Sequence, residues 1–306
     1  MAAMGTNAHS STVNTVDLDG TRLEIRELTP VPTSHSAAQT GREEVVESPV
    51  IVFLHEGLGS VAMWRAWPQQ VCDTTGKAGL VYSRRGYGQS ASIPNVRARP
   101  DPSKPLEGQL PADYLHKEAW QVLPRLLAKL NIKRPILVGH SDGASIALLY
   151  AARFSAAACV VMAPHVMVES QSIAAITAAR RAYESGDLRA RLARFHADVD
   201  SAFWQWNDVW LSAAFQHFDI RNDCTRIDCP VLAIQGVDDP YGSPAQVEQI
   251  RPQGARIAVH MLEHCGHSPH REQERHTTQL IRDFVGSLCS ADTNPESVQD
   301  LRSATS

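Results

Sequence analysis

The 306-residue sequence predicts an α/β fold, a mostly parallel sheet flanked by helices with a helical cap inserted late in the chain. Three observations lead there. Short, continuous apolar runs recur along the chain, as strands buried on both faces do. Segments with the spacing of amphipathic helices separate those runs. One interval, 165–228, breaks the alternation and carries helical patterns alone.

Taken in order, residues 1–12 are small and polar and are expected to form a loose tail. Residues 13–28 alternate like a strand pair turning at Asp19-Gly20, and 29–47, rich in Pro, Ser and Thr, read as a surface loop. The runs Pro49–Leu54, Gly79–Tyr82, Pro135–Val138, Cys159–Met162, Pro230–Ile234 and Ile257–Met261 supply six further strands. Helical spacing over 113–130 puts Leu115, Val122, Leu123, Leu126 and Leu130 on one face, with a bend at Pro124. A second such helix, 271–288, carries Leu280, Ile281, Phe284 and Leu288. The resulting plan is a core of 13–164 and 229–289, a helical cap of 165–228 and a polar tail of 290–306. The chain has 6 Trp and 7 Phe, and Phe195, Phe203, Trp204, Trp206, Trp210, Phe215 and Phe218 all fall within 195–218 of that cap.

Composition excludes several classes. With 43% hydrophobic and 20% charged residues, a disordered or fibrous chain is excluded. A net charge of -4 gives no global attraction to nucleic acid or anionic lipid. No run of 18 apolar residues occurs, since His140 and Asp142 interrupt the richest stretch, so no membrane partner is expected. Cys72, Cys159, Cys224, Cys229, Cys265 and Cys289 form no Cys-x-x-Cys pair and read as free thiols of a reducing compartment. The N-terminal residues have neither a basic start nor an apolar stretch, so a cytoplasmic location is expected.

The sharpest chemical signal is Gly139-His140-Ser141-Asp142-Gly143, set between the Pro135–Val138 strand and the helical Ala144–Phe154. This is G-x-S-x-G in the strand–turn–helix context that lifts a serine hydroxyl above a sheet. A hydroxyl is a weak nucleophile and needs a base, itself oriented by a carboxylate. Candidates follow in chain order: Asp238 or Asp239 after one later strand, and a histidine among His260, His264, His267, His270 and His276 beside the next. His264-x-x-His267-x-x-His270 also has the look of a metal cluster. Gly266 and Pro269 argue against the regular helix that would gather those rings, and no metal or other cofactor is expected.

At this point the chain resembles the α/β-hydrolase superfamily, through four ordered motifs spread over Val50 to Leu288. The resemblance implies Asp239 as the acid, three residues after Gly236, and His267 of the Gly266-His267 pair as the base. It implies oxyanion donors at the backbone N–H of Asp142 and, in the His55-Glu56-Gly57-Leu58-Gly59-Ser60 loop, at Gly57, with Leu58 or Glu56 as alternatives. Glu56 departs from the pattern, which has glycine there. Ser83-Arg84-Arg85-Gly86-Tyr87-Gly88-Gln89-Ser90 resembles another landmark and reads as a structural turn around a buried or paired arginine. The run Arg180, Arg181, Arg189, Arg191 and Arg194, with acidic neighbours, reads as a solvated helix face.

The implied activity is a cofactor-independent serine hydrolase cleaving a small carboxylic ester or lactone through an acyl-enzyme. The alternatives are a carbon–carbon bond hydrolase of the meta-cleavage-product type, or a ligand receptor with weak turnover. Trp206 and Trp210 of the cap, and Trp64 after the oxyanion loop, are the candidate substrate-binding rings. The same rings are equally suited to anchoring the cap on the core.

Overall fold

The apolar runs form strands because their side chains alternate between two separate cores, one on each face of a single sheet. In the computed structural model, residues 13–31 and 48–291 are described. The expectations for 1–12, 32–47 and 292–306, and for the side chain of Cys289, lie outside the described residues. Phe53, Val138, Val160 and Ile234 fill one core, while their neighbours Leu54, Leu137, Val161 and Ala233 fill the other.

The strands are β1 (Val13–Leu18), β2 (Thr21–Leu28), β3 (Ile51–Leu54), β4 (Gly79–Tyr82), β5 (Ile136–His140), β6 (Ala158–Met162), β7 (Val231–Gly236) and β8 (Ile257–Leu262). They lie in the order β1-β2-β4-β3-β5-β6-β7-β8. The β1–β2 hairpin is antiparallel and joins β4 antiparallel; every later pairing is parallel. Asp19 and Gly20 both take positive φ, 52° and 80°, the turn whose twist suits a two-residue hairpin. Only β8 departs from the expected two-sided burial: it is an edge strand, and Val259 is 42% exposed.

Helix α1 (Trp67–Thr75) and the C-terminal α11 (Glu274–Ala291) cover one face of the sheet. On the other lie α2 (Tyr114–Lys117), α3 (Leu123–Lys129) and α4 (Asp142–Ala151), the last buried along its whole length. The helix expected over 113–130 is interrupted upstream of Pro124, where Glu118–Val122 widens into a π turn between α2 and α3. Proline has no N–H to return to Trp120, and the wider turn accommodates that missing bond. The helix expected over 271–288 likewise breaks at Gln273, leaving the short α10 (Pro269–Glu272) ahead of α11.

Between β6 and β7 run α5 (Ser170–Ser185), α6 (Leu188–Leu192), α7 (Val199–Trp210) and α8 (Arg221–Cys224). Asp198 caps α7 by accepting the Ser201 N–H at 2.9 Å. The insertion is closed at its base by a clasp the apolar pattern did not signal, a bridge of Met167 with Asp219. The Ile220 N–H donates to Val166 O at 2.8 Å beside it. Arg180 is less solvated than its run suggested: it donates to Asn207 at 2.6 Å and lies over the Trp204 ring. The short α9 (Ala245–Glu248) follows β7.

Candidate active site

Ser141 sits where β5 turns into α4, with φ 53° and ψ −119°. A side chain there is strained, and the tight packing of its neighbours holds it. A Cβ on Gly143 would fall 2.0 Å from Leu54 O, and one on Gly139 would fall 2.3 Å from Gly143 O. Those two approaches are why glycine flanks the serine on both sides. The Ser141 N–H donates to Met162 O at 2.9 Å on the neighbouring strand.

The loops after β7 and β8 meet at this point because Gly236 lets them touch; a Cβ there would sit 2.2 Å from the carbonyl oxygens of Cys265 and Gly266. His267 comes from the second loop, and its Nε2 is 3.0 Å from Ser141 Oγ. Its Nδ1 is 2.9 Å from both Asp239 oxygens. A carboxylate can only accept, so Nδ1 carries the proton and Nε2 is free to accept from the serine hydroxyl. Asp239 is buried and held by the Gln235 side-chain amide at 2.7 Å and the Tyr241 N–H at 2.8 Å. Burial raises its pKa, but the His267 partner and the Tyr241 N–H outweigh this and hold it below the ordinary aspartate value. Asp238 points into solvent, its N–H bonded to Cys265 O at 2.9 Å.

The loop after β3 is pinned through its carbonyls. Glu56 O accepts from His55 Nδ1 at 2.7 Å, Arg84 Nη2 at 3.1 Å and Gly59 N at 3.1 Å. Arg84 also donates to His55 O, and its own N–H donates to His55 Nε2 at 3.0 Å. The His55 ring is therefore neutral with its proton on Nδ1, in keeping with a pKa driven well down by burial and by Arg84. Because a peptide group is planar, anchoring the Glu56 carbonyl aims the Gly57 N–H the opposite way. The Asp142 N–H opens α4 and is one of the N–H groups no helical carbonyl can take.

The three candidate tryptophans separate. Trp206 lies on the loop after β3: a Cβ at Gly57 would be 2.2 Å from its Nε1. Trp210 is 1% exposed, and its Nε1 donates to Tyr114 Oη at 3.0 Å and to Asp142 Oδ1 at 3.2 Å. Through that polar edge it braces the residue after Ser141. Trp64 is 3% exposed, stacked on Trp67 at 5.5 Å and tilted against His270 at 4.9 Å, and with those two rings it lines a cleft. Its aromatic neighbours belong to the α1–α11 face, which gives it a packing role.

His264 is exposed, while the buried His270 ring lies against His140 and Trp64, so the three spaced histidines diverge. Among the described residues no group of His, Cys, Asp and Glu is placed to hold a metal ion. Two neighbours of His267 were not singled out from sequence. The Tyr241 ring lies 4.5 Å from it, and the buried His165, whose pKa burial and His267 lower to about 3, lies 5.9 Å away. His165 has no motif around it; Tyr241 was within reach, as the second residue after Asp239. Among the described residues no helix is long and apolar enough to cross a membrane.

Comparison with known proteins agrees with the fold. The human serine hydrolase BPHL is 23% identical over 219 residues, covering 67% of this chain and 68% of that protein. The human monoacylglycerol lipase ABHD6 is 30% identical over 77 residues, only 23% of its length. Among solved structures, the enol-lactonase from Burkholderia xenovorans LB400 superposes with a TM-score of 0.61 at 19% identity, covering 89% of this chain and all of that one. At that identity the likeness is one of fold. The model of the alpha/beta hydrolase family matches residues 51–278, from β3 through the loop bearing His267 into α11, and the chain belongs to that family of hydrolases.

Proposed function

We propose that the protein is a cofactor-independent serine hydrolase that cleaves a small carboxylic ester or lactone through an acyl-enzyme. The observation that carries this reading is the unbroken line from Ser141 Oγ to His267 Nε2 at 3.0 Å and from Nδ1 to Asp239 at 2.9 Å. His267 takes the Ser141 proton as Oγ attacks the substrate carbonyl, and Asp239 stabilises the resulting imidazolium. The N–H groups of Asp142 and Gly57 hold the oxyanion. His267 then passes its proton to the leaving oxygen, leaving the acyl group on Ser141. Water, deprotonated by the same histidine, attacks that ester, and the serine departs with the proton returned to it. The esterase and lactonase chemistry named for its relatives supports a carbonyl substrate. The five cysteines whose side chains are among those described are buried and free, which fits a reducing, cytoplasmic setting.

Ser141→Ala assayed on p-nitrophenyl acetate tests the reading, with a fluorophosphonate probe on the wild type. Turnover should vanish to background and the probe should label Ser141. Wild-type turnover in Ser141→Ala would overturn it. A vinylogous diketone turned over far faster than any ester would redirect it to carbon–carbon cleavage.

A further inference from the structure

We propose that Glu56 and His140 form a positioning pair that locks the oxyanion loop to the loop carrying the general base, setting the alignment of Gly57, Ser141 and His267. The inference rests on the hydrolytic reading above. Glu56 stands where the family pattern has glycine, and His140 immediately precedes the nucleophile; neither has a role in the bond-making steps.

The buried His140 ring faces an acceptor oxygen at each of its nitrogens. Its Nε2 lies 2.7 Å from His267 O. A carbonyl only accepts, so Nε2 carries a proton and donates it, holding the backbone of the general base. Its Nδ1 lies 3.6 Å from Glu56 Oε2. At that distance the contact is electrostatic, not a hydrogen bond, and the buried Nδ1 has no hydrogen-bond partner, so the Glu56 carboxylate is the polar group it faces. The other Glu56 oxygen meets Arg271 Nη2 at 3.4 Å, and Arg271 donates to Met63 O at 3.1 Å as well. Burial pushes the Glu56 pKa up, yet His140 and Arg271 more than reverse this and hold it well below the ordinary glutamate value.

The arm of Glu56 also explains the glycine that follows it. A Cβ on Gly59 would fall 2.4 Å from Glu56 Oε2, so the side chain folds back over Gly59 toward β5. The main-chain carbonyl of Glu56 meanwhile holds three donors, so side chain and backbone fix the loop from two directions. Three loops, after β3, β5 and β8, thus meet at one pair of side chains. Each contributes an atom to the proposed reaction, and a displacement of about 1 Å between such atoms costs on the order of a hundredfold in rate.

Glu56→Ala, His140→Asn, their double variant and Glu56→Gln test this on p-nitrophenyl acetate, with kcat and KM resolved. All four keep the main-chain N–H groups. Each disruptive single variant should lower kcat about tenfold to a hundredfold, with KM within about threefold of wild type. The double variant should lose no more than the worse single, because both act through one unit. Glu56→Gln, which still presents a polar end to Nδ1, should recover most of the activity. Losses that multiply in the double variant, or a rise in KM alone, overturn the proposal. Arg271→Gln covers the case of misfolding, since that side chain is 41% exposed and loosens Glu56 from outside. It should lower kcat by about threefold at unchanged Tm; wild-type kcat there counts against the pair. Fluorophosphonate labelling separates the two levels of failure. An unlabelled wild type sinks the serine-hydrolase reading, whereas wild-type labelling rates in both Glu56→Ala and His140→Asn sink the pair alone.

Discussion

Trp210→Phe tests whether Trp210 braces Asp142 or lines a pocket. The replacement keeps an aromatic ring but deletes the Nε1 donor that reaches Asp142 Oδ1 at 3.2 Å. The carboxylate is then left with the Tyr114 hydroxyl and with Arg84 at 4.0 Å. Losing a hydrogen bond to a buried charged group costs about 1.5–3 kcal/mol, and the smaller ring leaves a void worth roughly 1 kcal/mol more. The sum, about 2–4 kcal/mol, corresponds to a Tm lower by roughly 5–10 °C. The pH dependence distinguishes this from simple loss of packing. Burial raises the Asp142 pKa above the ordinary aspartate value, while Arg84, Tyr114 and Trp210 pull it down. A raised carboxyl favours the protonated folded state, so its contribution to stability is lost as pH climbs through the folded pKa. Removing the Trp210 donor raises that pKa further. The deficit of the variant should therefore be largest at neutral pH and shrink as the solution is acidified and the carboxyl takes up its proton in both proteins. Thermal unfolding of both proteins across that range measures it. An equal deficit at both ends, or unchanged stability with a higher KM confined to bulky esters, would refute the brace and restore the pocket wall.

Asp239→Asn should lower kcat by about 10⁴-fold with the fold retained, because the Asn oxygen stays with the Tyr241 N–H and turns the amide nitrogen, a donor, toward His267. Asp238→Asn, at the exposed neighbour, should stay within about twofold, and kcat and Tm of the two decide which aspartate orients the base. Gly57→Ala should drive Trp206 off the loop, destabilise by about 1–3 kcal/mol and depress kcat. Adding Trp206→Ala should restore part of that stability in urea unfolding, since the clash at 2.2 Å is with that ring.

The strands and the elbow were legible because both rest on short-range rules. A strand buried on two faces has to be apolar throughout, and the serine turn needs glycine where Leu54 O and Gly143 O approach. The edge position of β8 was not legible, since Ile257–Leu262 is as apolar as its neighbours and only strand order exposes Val259. Tryptophans were the least legible residues. Trp64, Trp206 and Trp210 have the same chemistry in sequence, and what separates them is the partner of each ring edge: His270 and Trp67, the Gly57 backbone, or the Asp142 carboxylate. Glu56 was visible as a departure from pattern, but its meaning depends on His140, 84 positions later, and on a carbonyl from His267.

The strain at Ser141 is held from several elements at once, and that links the elbow to the cap. A positive φ at a non-glycine residue costs about 1–3 kcal/mol and persists only where neighbours over-determine it. Here β6 holds the N–H through Met162 O, α4 holds the carbonyl through the N–H groups of Ala144 and Ser145, and β3 blocks retreat at Gly143. Ser145 extends the hold beyond the core. Its Oγ donates to His165 O at 2.6 Å and accepts from the His165 N–H at 3.1 Å, which ties α4 to the start of the insertion. The next few residues enter the clasp of Met167 with Asp219, and Gln246 seals it by donating to Met167 O at 3.0 Å and accepting the Val166 N–H at 2.8 Å. From there Ser172 in α5 donates to Tyr241 O, and the Tyr241 N–H returns to Asp239. The chain of contacts therefore closes on itself, from Ser141 through the base of the insertion to Asp239 and back through His267. Residues at the base of the insertion are thereby held against the turn bearing Ser141 and against Asp239 together, so a change in the clasp reaches both.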